Sequence, residues 1–255
     1  MDDTAAPRLM VCIEDSRRHE EGQALAGHLG VSAVEAPDKP ADDALVLKLT
    51  RQGLFLCRGD LALNGDFTRM VHRIDQNRWQ HELLVKAARL KDPDHIPTAL
   101  DCTAGLGEDS MLLAAAGFEV TLYERNPVIA ALCRDAIRRA KKVPELKEAA
   151  GRMTLIEGES VEALRAIPEE KAPDVIYLDP MFPERDKSAL TRKKFQLLHL
   201  LEGPALDEEV LLHAALNARP GKIVIKRPPK GPYAGGVRPA YSIQGKAVRF
   251  DCVLP

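Results

Sequence analysis

The chain has 255 residues, of which 29% are charged, and a formal net charge of −2. That length can bury the core of one catalytic domain with a small appendage, and the near-neutral balance lacks the overall basicity that usually marks a nucleic-acid-binding domain. Five scattered cysteines without a Cys-x-x-Cys pair argue against a disulfide framework and a zinc site. The absence of a signal-peptide pattern or a membrane-length apolar run predicts a cytoplasmic protein with no membrane partner.

In chain order, Leu9–Ile13 predicts a strand, residues 21–29 a helix, and residues 44–49 with 53–57 a hairpin. Together they predict a small α+β lobe over residues 1–64. A helical connector around residues 69–90 and a Pro-rich linker at 92–97 fill residues 65–97. From Thr98 the alternation of strand and helix signals predicts a catalytic domain over 98–255, built on a mainly parallel, doubly wound α/β sheet. No internal repeat or low-complexity tract interrupts it.

Thr98–Asp101 is a short apolar run ending in a carboxylate, with Gly105 and Gly107 four and six residues beyond. This is the strand-to-loop pattern of class I S-adenosylmethionine enzymes, with Thr103 where a first glycine often sits. Glycines there let the backbone approach a cofactor closely and turn tightly into the next helix. A nicotinamide-binding loop would want a third glycine where Ser110 stands. Residues 111–116 predict a short helix capped by Gly117, and residues 120–124 a second strand ending in Glu124. A carboxylate about twenty residues past such a loop is placed to take a ribose diol. Pro127 opens a helix to about residue 142. Met153–Glu157 is a third strand, and the loop after it meets the adenine in this fold. Glu159 and Ser160 are therefore candidate contacts, while Ser160 equally suits an N-cap for a helix over residues 161–166.

Val175–Leu178 reads as a fully buried parallel strand, and Asp179-Pro180-Met181-Phe182-Pro183 follows at once. The Asp179 carboxylate can accept hydrogen bonds from an exocyclic –NH2. Pro180 removes a competing N–H and fixes its φ, and Phe182 offers a stacking face worth roughly 1–3 kcal/mol per base. Arg185, Lys187, Arg192, Lys193 and Lys194 come next, and Lys226, Arg227, Lys230 and Arg238 surround the following loop. Both clusters are expected at the carboxyl ends of neighbouring strands, as a phosphate-holding rim. Arg134, Arg138, Arg139, Lys141 and Lys142 lie on a helix expected to face away, as solvated surface. Cys102 reads as a small packing residue, and His72, His81, His199 and His213 form no ligand set.

Three stretches, Cys102–Asp109, Tyr123–Leu132 and Tyr177–Pro183, together resemble the bacterial ribosomal RNA small subunit methyltransferase J family. Residues 187–190, 224–228 and 246–251 agree with it. The family usually carries a glycine-rich segment after a His-Arg pair, where this chain has His72-Arg73 followed by Ile74-Asp75-Gln76-Asn77-Arg78-Trp79. The resemblance implies methylation of a guanosine N2 in 16S rRNA (guanosine 1516 in the family), on naked RNA or on the small ribosomal subunit. By position it implies cofactor contacts at Glu108, Asp109, Glu124, Arg125, Glu159, Ser160 and Asp179. Reading the residues alone selects Asp101, Gly105, Gly107, Glu124, the Glu159 loop and Asp179, and would take Asp109 and Arg125 for helix-start and surface charges. Two alternatives stay open: methylation of another base amine, such as adenine N6, or a non-catalytic ribosome-assembly factor. Retention of Asp101, Glu124 and Asp179 speaks against the second.

Overall fold

In the computed structural model, residues 9–36, 44–91, 93–180, 197–198, 200–201 and 207–255 are described. They divide into two units, one running to Gly65 and including the stretch around Leu197, the other built from Asp66–Pro180 and Asp207–Pro255.

The first unit is a five-stranded sheet. β1 (Leu9–Ile13), α1 (His19–Leu29) and β2 (Ala33–Glu35) come first, with Gly30 closing α1 in the left-handed conformation. β3 (Leu45–Leu49), β4 (Leu54–Arg58) and β5 (Leu61–Leu63) follow, giving the order β2-β1-β3-β4-β5. β1 is parallel to β2 and β3, and β3-β4 is the expected antiparallel hairpin. The α+β reading of this lobe holds, with β2 and β5 added.

The second unit begins earlier than expected. The segment over residues 66–88, with α2 (Val71–Ile74) and α3 (Leu83–Ala88), contributes Phe67, Met70, Ile74, Leu84, Ala87 and Ala88 to the main core, so it belongs to the catalytic unit. Between α2 and α3 the backbone kinks at Gln76 (φ 52°) and Asn77 (φ 61°), both left-handed. Side chains in that region cost about 1–2 kcal/mol each, and the family that the sequence resembles is expected to carry glycines here. Gln76→Gly is therefore expected to raise stability by about 0.5–1 kcal/mol, after allowing for the looser unfolded chain. Urea unfolding checks this, and a lowered midpoint would show that the Gln76 side chain contributes more than its backbone costs.

The main sheet contains β6 (Thr98–Asp101), β7 (Glu119–Glu124), β8 (Met153–Glu157), β9 (Val175–Leu178), β10 (Lys222–Arg227), β11 (Tyr241–Gln244) and β12 (Arg249–Val253). Its order is β11-β12-β10-β9-β6-β7-β8, parallel from β8 to β10, with β12 antiparallel to both its neighbours. Helices α4 (Glu108–Ala115), α5 (Pro127–Ala140), α6 (Pro144–Gly151), α7 (Ser160–Arg165) and α8 (Glu208–Asn217) connect these strands. Two apolar clusters line the sheet, one around Met111, Leu122 and Tyr177 and the other around Ile176, Leu211 and Ile225. The predicted doubly wound α/β architecture holds.

The chain moves outward from β6 to β8 and then returns to β9 on the other side of β6. That reversal opens a crevice at the carboxyl ends of β6 and β9, where doubly wound sheets bind ligands. No helix among the described residues is long and apolar enough to cross a membrane.

Candidate active site

Asp101 ends β6 and points into the loop that follows. It accepts hydrogen bonds from the Thr103 backbone N–H (3.0 Å) and from Ser110 Oγ (2.6 Å), and is only 1% exposed. It is therefore a loop-positioning group with no surface from which to reach a cofactor, a correction to the expected contact. Burial pushes its pKa up to about 7, partly offset by the Ser110 and Thr103 hydrogen bonds. A carboxyl raised in this way contributes stability that is complete below its ordinary value of 3.8 and is lost as pH rises to about 7. The loss is on the order of 4 kcal/mol. Asp101→Asn can still accept the Thr103 N–H on its one amide oxygen and can donate its amide N–H to Ser110 Oγ, reversing that bond, without ionising, so this variant is expected to lose that fall in stability. Unfolding midpoints of the two proteins from about pH 4 to 8 test it; parallel slopes would show that Asp101 is ionised throughout.

Gly105 (φ +54°) and Gly107 (φ +80°) shape the turn into α4. A Cβ on Gly107 would approach Cys133 Sγ at 3.0 Å and Phe67 at 3.3 Å, while one on Gly105 would meet open space. Gly107 is thus needed for packing, and Gly105 leaves a bare stretch of backbone that a ligand can approach. At the end of β7, Glu124 accepts from the Gly105 N–H (2.9 Å) and the Asn126 N–H (2.8 Å), one on each carboxylate oxygen. Each oxygen retains acceptor capacity for a ribose hydroxyl. Burial raises the Glu124 pKa, and the two N–H groups counter it. Asn126 caps α5 by accepting from the Val128 and Ile129 N–H groups, and Pro127 takes the first helical position. The Glu-Arg-Asn-Pro sequence thus combines a strand-end carboxylate with a helix start.

Glu159 and Arg125 are exposed and approach within 3.9 Å, beside the loop after β8. Ser160 is the buried first residue of α7, and the cap position belongs to Glu159 with no side-chain capping bond. The expected Ser160 cap is therefore corrected. Glu108 is exposed on the first turn of α4. Cys102 is buried, and burial holds its thiol well above the ordinary range, as suits a packing residue.

Across the crevice, Lys226 on β10 bridges two carboxylates, Asp109 Oδ2 at 2.8 Å and Asp179 Oδ2 at 2.9 Å. Tyr177 on β9 donates its hydroxyl to Asp109 Oδ2 at 2.6 Å. Burial opposes ionisation of Asp109, but the Lys226 charge and these hydrogen bonds hold its pKa below the ordinary value. Burial likewise opposes the Lys226 charge, and the two carboxylates override it and raise its pKa. Thr103 Oγ1 accepts the Asp179 backbone N–H at 2.7 Å, joining the glycine loop to the Asp179-Pro180 turn. Sequence reasoning missed this link; a hydroxyl in place of the usual first glycine is the signal that pointed to it.

The expected basic rim needs two corrections. Lys226 sits inside the centre, held by its two carboxylates. Arg227 is 2% exposed and donates to Glu208 and to the Pro232 carbonyl, so it cannot contact phosphate. Arg249 pairs with Asp251 and donates to the Pro229 and Gly231 carbonyls, so two buried arginines brace the loop after β10. Lys230 and Arg238 remain exposed beyond β10. Phe182, Arg185, Lys187, Arg192, Lys193, Lys194 and His199 lie outside the described residues. On α5, Arg138 and Arg139 pair with the buried Asp135, and Arg134 pairs with Glu157 at 3.3 Å; Arg134, Arg138, Lys141 and Lys142 are exposed, whereas Arg139 is half-buried.

A family model described as "Putative SAM-dependent methyltransferase" matches residues 38–255. Ribosomal RNA small subunit methyltransferase J of Pseudomonas paraeruginosa is 40% identical, covering 98% of this chain and 96% of the relative. The Nitrosococcus oceani protein of that name is 38% identical over 90% of this chain and 92% of its own length. A crystal structure of a SAM-dependent methyltransferase from Neisseria gonorrhoeae superposes with a TM-score of 0.75 at 33% identity, covering 96% of each chain.

Proposed function

We propose that this chain, which belongs to the ribosomal RNA small subunit methyltransferase J family of S-adenosylmethionine-dependent enzymes, methylates the exocyclic N2 of a guanosine in 16S rRNA. The observation that carries this assignment is the Asp179 carboxylate, fixed by Lys226 and tied by its own N–H to Thr103 at the mouth of the crevice. A guanine edge offers N1–H and N2–H donors, which a fixed carboxylate accepts.

The residues present fit S-adenosylmethionine. Glu124 has acceptor capacity for the ribose diol, the bare Gly105 backbone admits close approach, and Glu159 lies where the adenine is expected. Glu108 and Arg125 stand at the same rim. When bound, S-adenosylmethionine supplies a methyl group activated on a sulfonium. Asp179 accepts the amine hydrogen bonds, which increases the electron density available at N2. Once N2 is alkylated, its acidic proton passes to Asp179 or to water. Most of the acceleration then comes from holding N2 in line, an effective-concentration effect. Pro180 fixes the turn, and Phe182 would stack on the base.

Arg185, Lys187, Arg192, Lys193 and Lys194, with exposed Lys230 and Arg238, would hold phosphates of naked 16S rRNA or of the small ribosomal subunit. The decisive experiment is mass spectrometry of 16S rRNA nucleosides from a strain lacking this chain. N2-methylguanosine is expected to fall and to return when the chain is restored. Loss of N6-methyladenosine instead, or no change in either, would reject the assignment.

A further inference from the structure

A second cavity, of about 400 Å³, lies away from the crevice and is lined by Trp79, His81, Lys86, Arg89, Leu90 and Phe118, among others. Pro97 on its wall directly precedes β6, and Phe118 directly precedes β7. The cavity therefore sits at the amino ends of these parallel strands, opposite the end that carries Asp101, Glu124 and Asp179. Its volume falls in the range of small-ligand pockets.

Its lining combines a large aromatic and apolar walls with Lys86, Arg89 and His81, and contains no Asp or Glu. Lys86 and Arg89 are exposed, and neither forms an ion pair among the described residues. The segment that presents them is fixed from within. Lys222 Nζ, buried behind it, donates to the carbonyls of Ala87 (3.0 Å) and Arg89 (2.8 Å). An apolar lining that includes the half-buried Trp79, beside two cations without ion pairs, matches a single-stranded nucleotide, whose base stacks while its phosphates are neutralised. In a chain with a net charge of −2, phosphate attraction has to be local.

We propose that this groove binds a single-stranded stretch of the RNA substrate outside the target nucleotide, with a base stacked on Trp79 and phosphates on Lys86 and Arg89. The proposal rests on the reading of the substrate as RNA and does not depend on the residues of the active site.

Trp79 is the only tryptophan in the chain, so its fluorescence reports directly on this groove. A short single-stranded RNA titrated into the full chain is expected to quench it, whereas inorganic polyphosphate should compete for binding without matching that quench. The double variant Lys86→Ala/Arg89→Ala, changed only at exposed positions, is expected to bind about ten-fold or more weakly. It should also flatten the salt dependence by about two slope units. Filter retention measures affinity in the same samples. Bound RNA with unchanged Trp79 emission would overturn the proposal, and so would a quench of equal affinity in the double variant. Methyl transfer to 16S rRNA, assayed in parallel, separates the two readings. If transfer persists without a quench, only the groove is rejected. If the unaltered protein lacks transfer, the proposed function is rejected.

Discussion

Asp179→Asn is expected to lower methyl transfer to 16S rRNA by roughly 10²–10⁴-fold, the range for losing a positioned proton acceptor. Asparagine preserves the shape of the turn and its backbone N–H, so the bond to Thr103 Oγ1 can persist. What disappears is the negative charge of the proposed amine acceptor, together with half of the charge partnership of Lys226. The defect should therefore fall on single-turnover transfer, with the affinity for S-adenosylmethionine measured by calorimetry changing much less. Near-normal turnover would remove Asp179 from the chemistry, and a parallel collapse of cofactor affinity would move it to the cofactor side.

Lys226→Met is expected to lower stability. Removing the shared cation leaves two closely placed, partly exposed carboxylates without their main counter-charge, and solvent screening limits the loss to about 1–3 kcal/mol. For a protein of this size that corresponds to a fall in Tm of roughly 2–12 °C. The pH dependence identifies the cause. Asp109 has a lowered pKa in the folded state, so its contribution is present above the ordinary carboxylate value and is lost as pH falls. The penalty of the variant should therefore be largest near neutral pH and shrink in acid, as Asp109 protonates. Thermal melts at about pH 7 and 4 make the comparison, and an equal loss at both would mean that Lys226 acts through its packing alone. Lys226→Arg, which can still reach both carboxylates, should recover much of the stability.

The central strands were legible because each is an apolar run bounded by turn residues. Leu9–Ile13, Thr98–Asp101, Met153–Glu157 and Val175–Leu178 all form where their patterns predict. β2 and β5, of three residues each, are too short to show a period. α6 was missed because only Leu146, Ala149 and Ala150 of its eight residues are buried. The connector was placed outside the catalytic unit because its helices are short and kinked, although Phe67, Met70 and Ile74 already carry the three- and four-residue spacing of a buried face. The basic rim failed at Lys226 and Arg227 because sequence gives a charge but not the carboxylates that wait for it on other elements. Glu208 and Asp109 lie 19 and 117 residues away from these two partners. Asp109 entered the site through the family resemblance; alone it reads as an acid favoured at a helix start.

The Thr103 hydroxyl makes the two halves of the crevice thermodynamically dependent on each other. Its own N–H is held by Asp101 in the glycine loop, and its oxygen holds the N–H of Asp179, the proposed acceptor of the base amine. Free energy gained by ordering the loop from Thr103 to Gly107 is therefore shared with the Asp179-Pro180 turn. Linkage makes that sharing reciprocal: by whatever factor a bound cofactor tightens the grip on RNA, bound RNA tightens the grip on the cofactor. Positive coupling of this kind would favour the ternary complex over either binary one. In the product complex the same reciprocity, with a factor of its own, would link departure of the methylated base to release of the spent cofactor.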